Sequence, residues 1–130
     1  KRKMHEQHLY DYAVIRVVPK VEREEFINIG LMMYCKRQKY LRIDYQIPTD
    51  KILLFSPEFD VDQLKINLES FRKICSGKND GGPIDAFEIA ERFRWLTAIK
   101  SSSIQTSRPH SGFSPDLDAT FEKLYAELVL

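Results

Sequence analysis

The sequence has almost no net charge. Twenty Lys and Arg residues face nineteen Asp and Glu, for a formal charge of +1 over 130 residues. Nucleic-acid binding draws on neutralising many phosphates at once, so a chain this balanced is not expected to bind nucleic acid as a whole, and only a local basic patch stays open. Cysteine is equally scarce. Cys35 and Cys75 form no CxxC pair and have no histidine at zinc spacing, so two buried, reduced thiols are expected. No stretch approaches the roughly 20 apolar residues of a membrane span. The basic start KRKMHEQH lacks the apolar run of a signal peptide. These absences predict a cytoplasmic protein without membrane contact. Internal repeats and low-complexity tracts are missing too.

What is present is a globular pattern, with 43% hydrophobic and 30% charged residues, which argues against disorder. Residues 1–8 are expected to form a flexible tail and residues 9–130 a single domain. LYDYAVIRVVP (9–19) and FINIGLMMYC (26–35) are rich in β-branched and aromatic residues and are apolar on both parities. They read as central strands of an antiparallel hairpin. YLRIDYQI (40–47) alternates cleanly, with Leu41, Ile43 and Tyr45 on one side and Arg42 and Asp44 on a wet side.

TDKILLF is too short to assign, but after it the period becomes helical. Asp60 caps a helix with Val61, Leu64, Leu68, Phe71 and Cys75 in register, and Gly77 ends it. KNDGGP is a flexible break. IDAFEIAERFRWLTAI follows as a helix with Ala86, Ile89, Ala90, Phe93 and Leu96 on one face. Residues 102–108 read as a short strand ending in a turn at Arg108-Pro109. Asp116 then caps a last helix carrying Leu117, Phe121, Leu124 and Leu128. The fold class is therefore α+β: a small antiparallel sheet of three to four strands with at least three helices packed on one of its faces.

The chemistry-bearing residues gather in SSSIQTSRPHSGF (101–113). Ser103, Ser107 and Ser111 lie close to His110, yet no strained elbow surrounds a serine and no orienting group is in view, so nucleophilic catalysis is not expected. His5 and His8 share a helical spacing but fall in the tail. Glu58, Asp60 and Asp62 lack the glycine and distant glutamate of a calcium loop, so no metal or other cofactor is expected. In a strand, Ser103, Gln105 and Ser107 share a polar face while Ile104 anchors the other side. Arg92, Arg94, Arg108 and His110 would join them in holding a phosphate or another anionic small ligand. The competing reading is a polar edge strand followed by a turn.

Trp95 lies opposite the apolar stripe of its helix; coverage by another element is expected, and exposure would signal a partner. Asn28 and Gly30 interrupt an apolar strand, where glycine signals a bulge or a close backbone approach. Glu25 and Asn28 are the expected contacts of Arg16. Candidate binding residues are thus Arg16, Glu25, Asn28, Arg92, Trp95, Gln105, Ser107 and His110. An uncovered edge at the third or fourth strand would invite a homodimer.

Three pieces in order, YDYAVIRVVP, REEFINIGLMMYC and ERFRWLTAIKSSSIQTSRPHSGF, resemble the bacterial family known as domain of unknown function 3037. The matching positions are Arg16 and Pro19, then Glu25, Asn28 and Gly30, then Arg92, Trp95, Ser101, Gln105, Ser107 and His110. The resemblance implies a small cytoplasmic bacterial protein without an established activity, cofactor or catalytic residue. It also implies an accessory role beside kinases similar to HipA, and so a protein partner. Function is accordingly read as a non-enzymatic, protein-binding accessory module. The alternative is a phosphate, nucleotide or nucleic-acid binder using Arg92, Arg94 and the 101–112 segment.

Overall fold

Strand β1 (His8–Val17) lies at the centre of an antiparallel sheet in a computed structural model, which describes residues 6–20, 25–77, 88–98 and 103–130. β2 (Ile27–Cys35) pairs with one edge of β1 and β3 (Tyr40–Tyr45) with the far edge of β2. The other edge of β1 is shared. β4 (Ile104–Thr106) pairs with its second half and β5 (His110–Ser114) with its first half. Residues 104–114 are therefore one edge strand, broken around Arg108 and Pro109, and the register to β1 shifts by one residue across the break.

β1 and β2 are apolar on both parities because helices cover both sheet faces. Ala13, Ile15, Val17, Ile29 and Met32 pack beneath α1 (Thr49–Phe55), α2 (Val61–Ser76) and α3 (Ile89–Ala98), with Ile52, Leu64, Leu68, Phe71, Phe93 and Leu96. Tyr10, Val14, Leu31, Met33 and Cys35 pack beneath α4 (Leu117–Leu128), against Leu117, Phe121 and Val129. The expectation of helices on one face is thus corrected: α4 takes the second face, because the even positions of β1 need cover as much as the odd ones. Cys35 and Cys75 are buried free thiols in these two different cores.

The helix ends follow the sequence. The Asp60 carboxylate accepts from Gln63 N–H at 2.9 Å, and that of Asp116 accepts from Ala119 N–H at 3.1 Å. Each such cap stabilises by about 1 kcal/mol. Gly77 ends α2 in the left-handed region at φ 74°. Expected Ala86 and the KNDGGP break lie outside the described residues. TDKILLF, unassigned from sequence, is helix α1.

β5 exceeds the expected three to four strands. HSGFS has no β-branched residue, so only pairing with β1 makes it a strand. At Gly30 both expectations hold. The β1–β2 register shifts there, and a Cβ would come within 2.8 Å of the Asp44 carbonyl oxygen.

Candidate functional site

The register aligns three polar residues on the α4 face, across three strands. Arg16 on β1 stands opposite Asn28 on β2 and Gln105 on β4. Direct cross-strand neighbours are about 5 Å apart at Cα, so the side chains form a contiguous row. All three are partly exposed. Phe26, itself 50% exposed, lays its ring over the Arg16 guanidinium, 4.3 Å from centroid to Cζ. Asn28 is oriented by donating from Nδ2 to the Leu128 carbonyl at 3.1 Å, beside the last turn of α4. Arg16 Nε and Asn28 Oδ1 are buried and have no hydrogen-bond partner. Glu25 is exposed just before β2.

Other candidates are placed elsewhere. Ser107 sits at the break between β4 and β5 and hydrogen-bonds Val14 through both its amide and its hydroxyl. His110 is on the α4 face further along β1, where its ring meets Tyr12 at 5.3 Å between centroids. Arg92 and Trp95 belong to α3, on the opposite side of the sheet. Arg92 lies against Gly77, so closely that its guanidinium occupies the space a Cβ there would need. Trp95 is 44% exposed, which corrects the expectation that another element covers it. The proposed anion cradle is therefore divided: Arg92 faces the end of α2, while Gln105 and His110 project from the other face. Ser101 lies outside the described residues.

The structure also presents a corner that sequence reading passed over. Leu9 and Phe113 are direct partners of β1 and β5, on the side carrying α1–α3, and are 55% and 67% exposed. With Gln7, Lys36 and Arg37 they line a cleft of about 520 Å³. Lys39 in the same β2–β3 turn is exposed as well; Arg37 pairs with Glu6 at 3.2 Å, and Lys36 and Lys39 leave the rim net basic. β5 has no lysine, glutamate or proline to guard its outer edge, and no described strand pairs with that edge. The available signal was the phenylalanine in an otherwise small, polar strand.

A second cleft, about 560 Å³, opens at the start of α4 between His8, Gln38, Tyr40, Asp116 and Asp118. The Tyr40 hydroxyl donates to Asp118 at 2.7 Å, while Arg42 bridges Asp118 at 3.0 Å and Glu122 at 2.5 Å. Burial, then the bond to Asp118, pushes the Tyr40 phenol up to about 12. Its carboxylates already have partners, and they ring a helix N-terminus, so it is chiefly the clamp that fastens α4 to β3. No group of three or more His, Cys, Asp or Glu residues is placed to hold a metal ion among the described residues, and no described helix is long and apolar enough to cross a membrane.

Residues 12–129 match the family described as protein of unknown function, DUF3037. The chain belongs to the DUF3037 family. The match covers most of the sheet and the four described helices, and with them all but the first two residues of the three motif pieces. No curated protein and no solved structure matches the chain. In this DUF3037 chain, Arg16, Asn28 and Gln105 are brought together by strand register, whereas Arg92 and Trp95 are set apart by the sheet.

Proposed function

We propose that this DUF3037 protein is a non-enzymatic accessory module of the bacterial cytoplasm that binds a partner protein at the Leu9–Phe113 corner. The observation that carries this reading is the cross-strand apolar pair, more than half exposed, beside an unguarded edge strand. Clustered exposed apolar side chains next to free strand hydrogen-bonding groups favour an added strand from another chain. The Lys36, Arg37 and Lys39 rim selects its chemistry. The partner segment is extended, places an apolar side chain between Leu9 and Phe113, and carries carboxylates on its flanks. Half-exposed Trp95 belongs to α3, which covers the same side of the sheet. Kinases similar to HipA are the first partners to test, because the family resemblance implies them.

The test is a purified binding measurement with a kinase similar to HipA, comparing the wild type with Phe113→Asp and with the double change Lys36→Glu, Arg37→Glu. Binding that falls at least tenfold in both variants, with an unchanged circular dichroism spectrum, supports the reading. Binding unaffected by Phe113→Asp, or absent at micromolar concentration in the wild type, overturns it.

A further inference from the structure

The Arg16–Asn28–Gln105 row is a separate feature. It lies on the other face of the sheet, seven residues along β1 from Leu9 and so roughly 24 Å away. Its chemistry is incomplete. Arg16 takes part in none of the ion pairs among the described residues, and its Nε–H has no acceptor. A partly buried guanidinium without a counter-charge calls for an anionic acceptor. Asn28 adds a second requirement. Its Nδ2 is committed to the Leu128 carbonyl, which fixes Oδ1 as an acceptor that faces no donor. An anion made only of acceptors satisfies Arg16 and is repelled by Asn28 Oδ1. Gln105, across Arg16 from Asn28, brings a carboxamide that supplies either sense.

We propose that this row binds a phosphate monoester in its singly protonated, monoanionic form. Its oxygens accept from Arg16 and Gln105, and its single O–H donates to Asn28 Oδ1. Phe26 is the lid: its half-exposed ring covers one face of the guanidinium, and its rotation admits the ligand. The phosphate monoanion meets both requirements, whereas sulfate, fully ionised at neutral pH, meets only the first.

The experiment is an NMR titration of the full chain, following the Arg16 Nε–Hε and Asn28 side-chain signals. Glycerol phosphate and sodium sulfate are compared at about pH 5.5 and about pH 8, on either side of the second pKa of a phosphate monoester, near 6. Saturable shifts with glycerol phosphate that are about tenfold tighter at the lower pH, and at least fivefold weaker with sulfate, are expected. Adenosine monophosphate should behave as glycerol phosphate does, and inorganic phosphate, which keeps an O–H at both pH values, should show a much smaller pH dependence. Gln105→Leu, at a partly exposed edge position that tolerates change, should weaken binding several-fold, and Arg16→Gln should abolish it. Equal binding of sulfate and glycerol phosphate, a glycerol phosphate affinity independent of pH, no saturable shift, or wild-type affinity in Arg16→Gln would each overturn the proposal. None of these outcomes depends on the Leu9–Phe113 corner.

Discussion

Ser107 and Val14 exchange two hydrogen bonds: the Ser107 amide donates to the Val14 carbonyl at 2.9 Å, and the Ser107 hydroxyl accepts from the Val14 amide at 2.9 Å. The hydroxyl stands in for the backbone carbonyl that the ladder loses where the edge strand breaks, and it donates in turn to the Arg108 carbonyl at 3.1 Å. This serine is a splice in the sheet. Ser107→Ala leaves a buried amide unsatisfied and should destabilise by about 1–3 kcal/mol in urea unfolding. A change within a few tenths of a kcal/mol would show that the hydroxyl is dispensable.

Gly77 and Arg92 constrain one another across the α2–α3 contact. Gly77→Ala meets two penalties, the left-handed backbone at φ 74° and the guanidinium in the space of its Cβ. The backbone alone costs about 1–2 kcal/mol. In an Arg92→Ala background only that part should remain, so the double-mutant cycle should show a coupling of at least 0.5 kcal/mol in order of magnitude.

The Cys75 thiol is pushed up from 9.0 to about 12, by burial first, with Arg92 and Arg72 opposing. At pH 8 the folded thiolate fraction is then about a thousandfold below that of an ordinary cysteine. Native Cys75 should resist a thiol reagent that modifies the urea-unfolded chain within minutes. The sign for stability follows. The folded state holds the Cys75 proton more tightly than the unfolded chain, so this contribution is complete below pH 9 and is lost as pH rises toward 12. Tyr40, raised from 10.0 to about 12, acts in the same direction. The urea midpoint should decline above pH 9, less steeply in Cys75→Ala.

Arg42 joins β3 to α4 through Asp118 and Glu122, and lies 4.1 Å over the Phe121 ring. Arg42→Ala should cost on the order of 1 kcal/mol, given that the carboxylates are exposed and the ring contact contributes a similar amount. Hydrogen exchange should accelerate in Leu124–Leu128 and leave α2 unchanged. The Asp118 carboxyl is held below its ordinary value, first by the Tyr40 hydroxyl and also by Arg42. Its stabilisation is therefore present above pH 3.8 and is lost as pH falls below it.

Much of this architecture could be read along the chain. The caps at Asp60 and Asp116, the stop at Gly77 and the bulge at Gly30 are local signals, and each is where its residue type placed it. The row of Arg16, Asn28 and Gln105 was only half legible. Arg16 and Asn28 stood out as polar in apolar strands and Gln105 as part of a polar strand face, but their adjacency depends on a register shift at Gly30 and on pairing over more than eighty residues. Arg92 and Trp95 were grouped with the 101–112 segment because they are near it in sequence, and a sheet between them undoes that grouping. Leu9 and Phe113 gave little warning, since a single exposed apolar residue is ordinary and only their pairing makes a patch.

By itself, the sequence determined the type of most elements, the helix ends at Asp60, Gly77 and Asp116, the burial of both thiols and the apolar character of both parities of β1 and β2, because periodicity, capping and hydrophobicity act over a few residues. Tertiary structure alone decided which side chains share a surface, that α4 covers the second face and that HSGFS is a strand. Those outcomes depend on strand register and on contacts distant in sequence, and a one-residue slip in register exchanges the faces of a strand. The serine-rich segment shows the division: its alternation was local, and its role at Val14 was not.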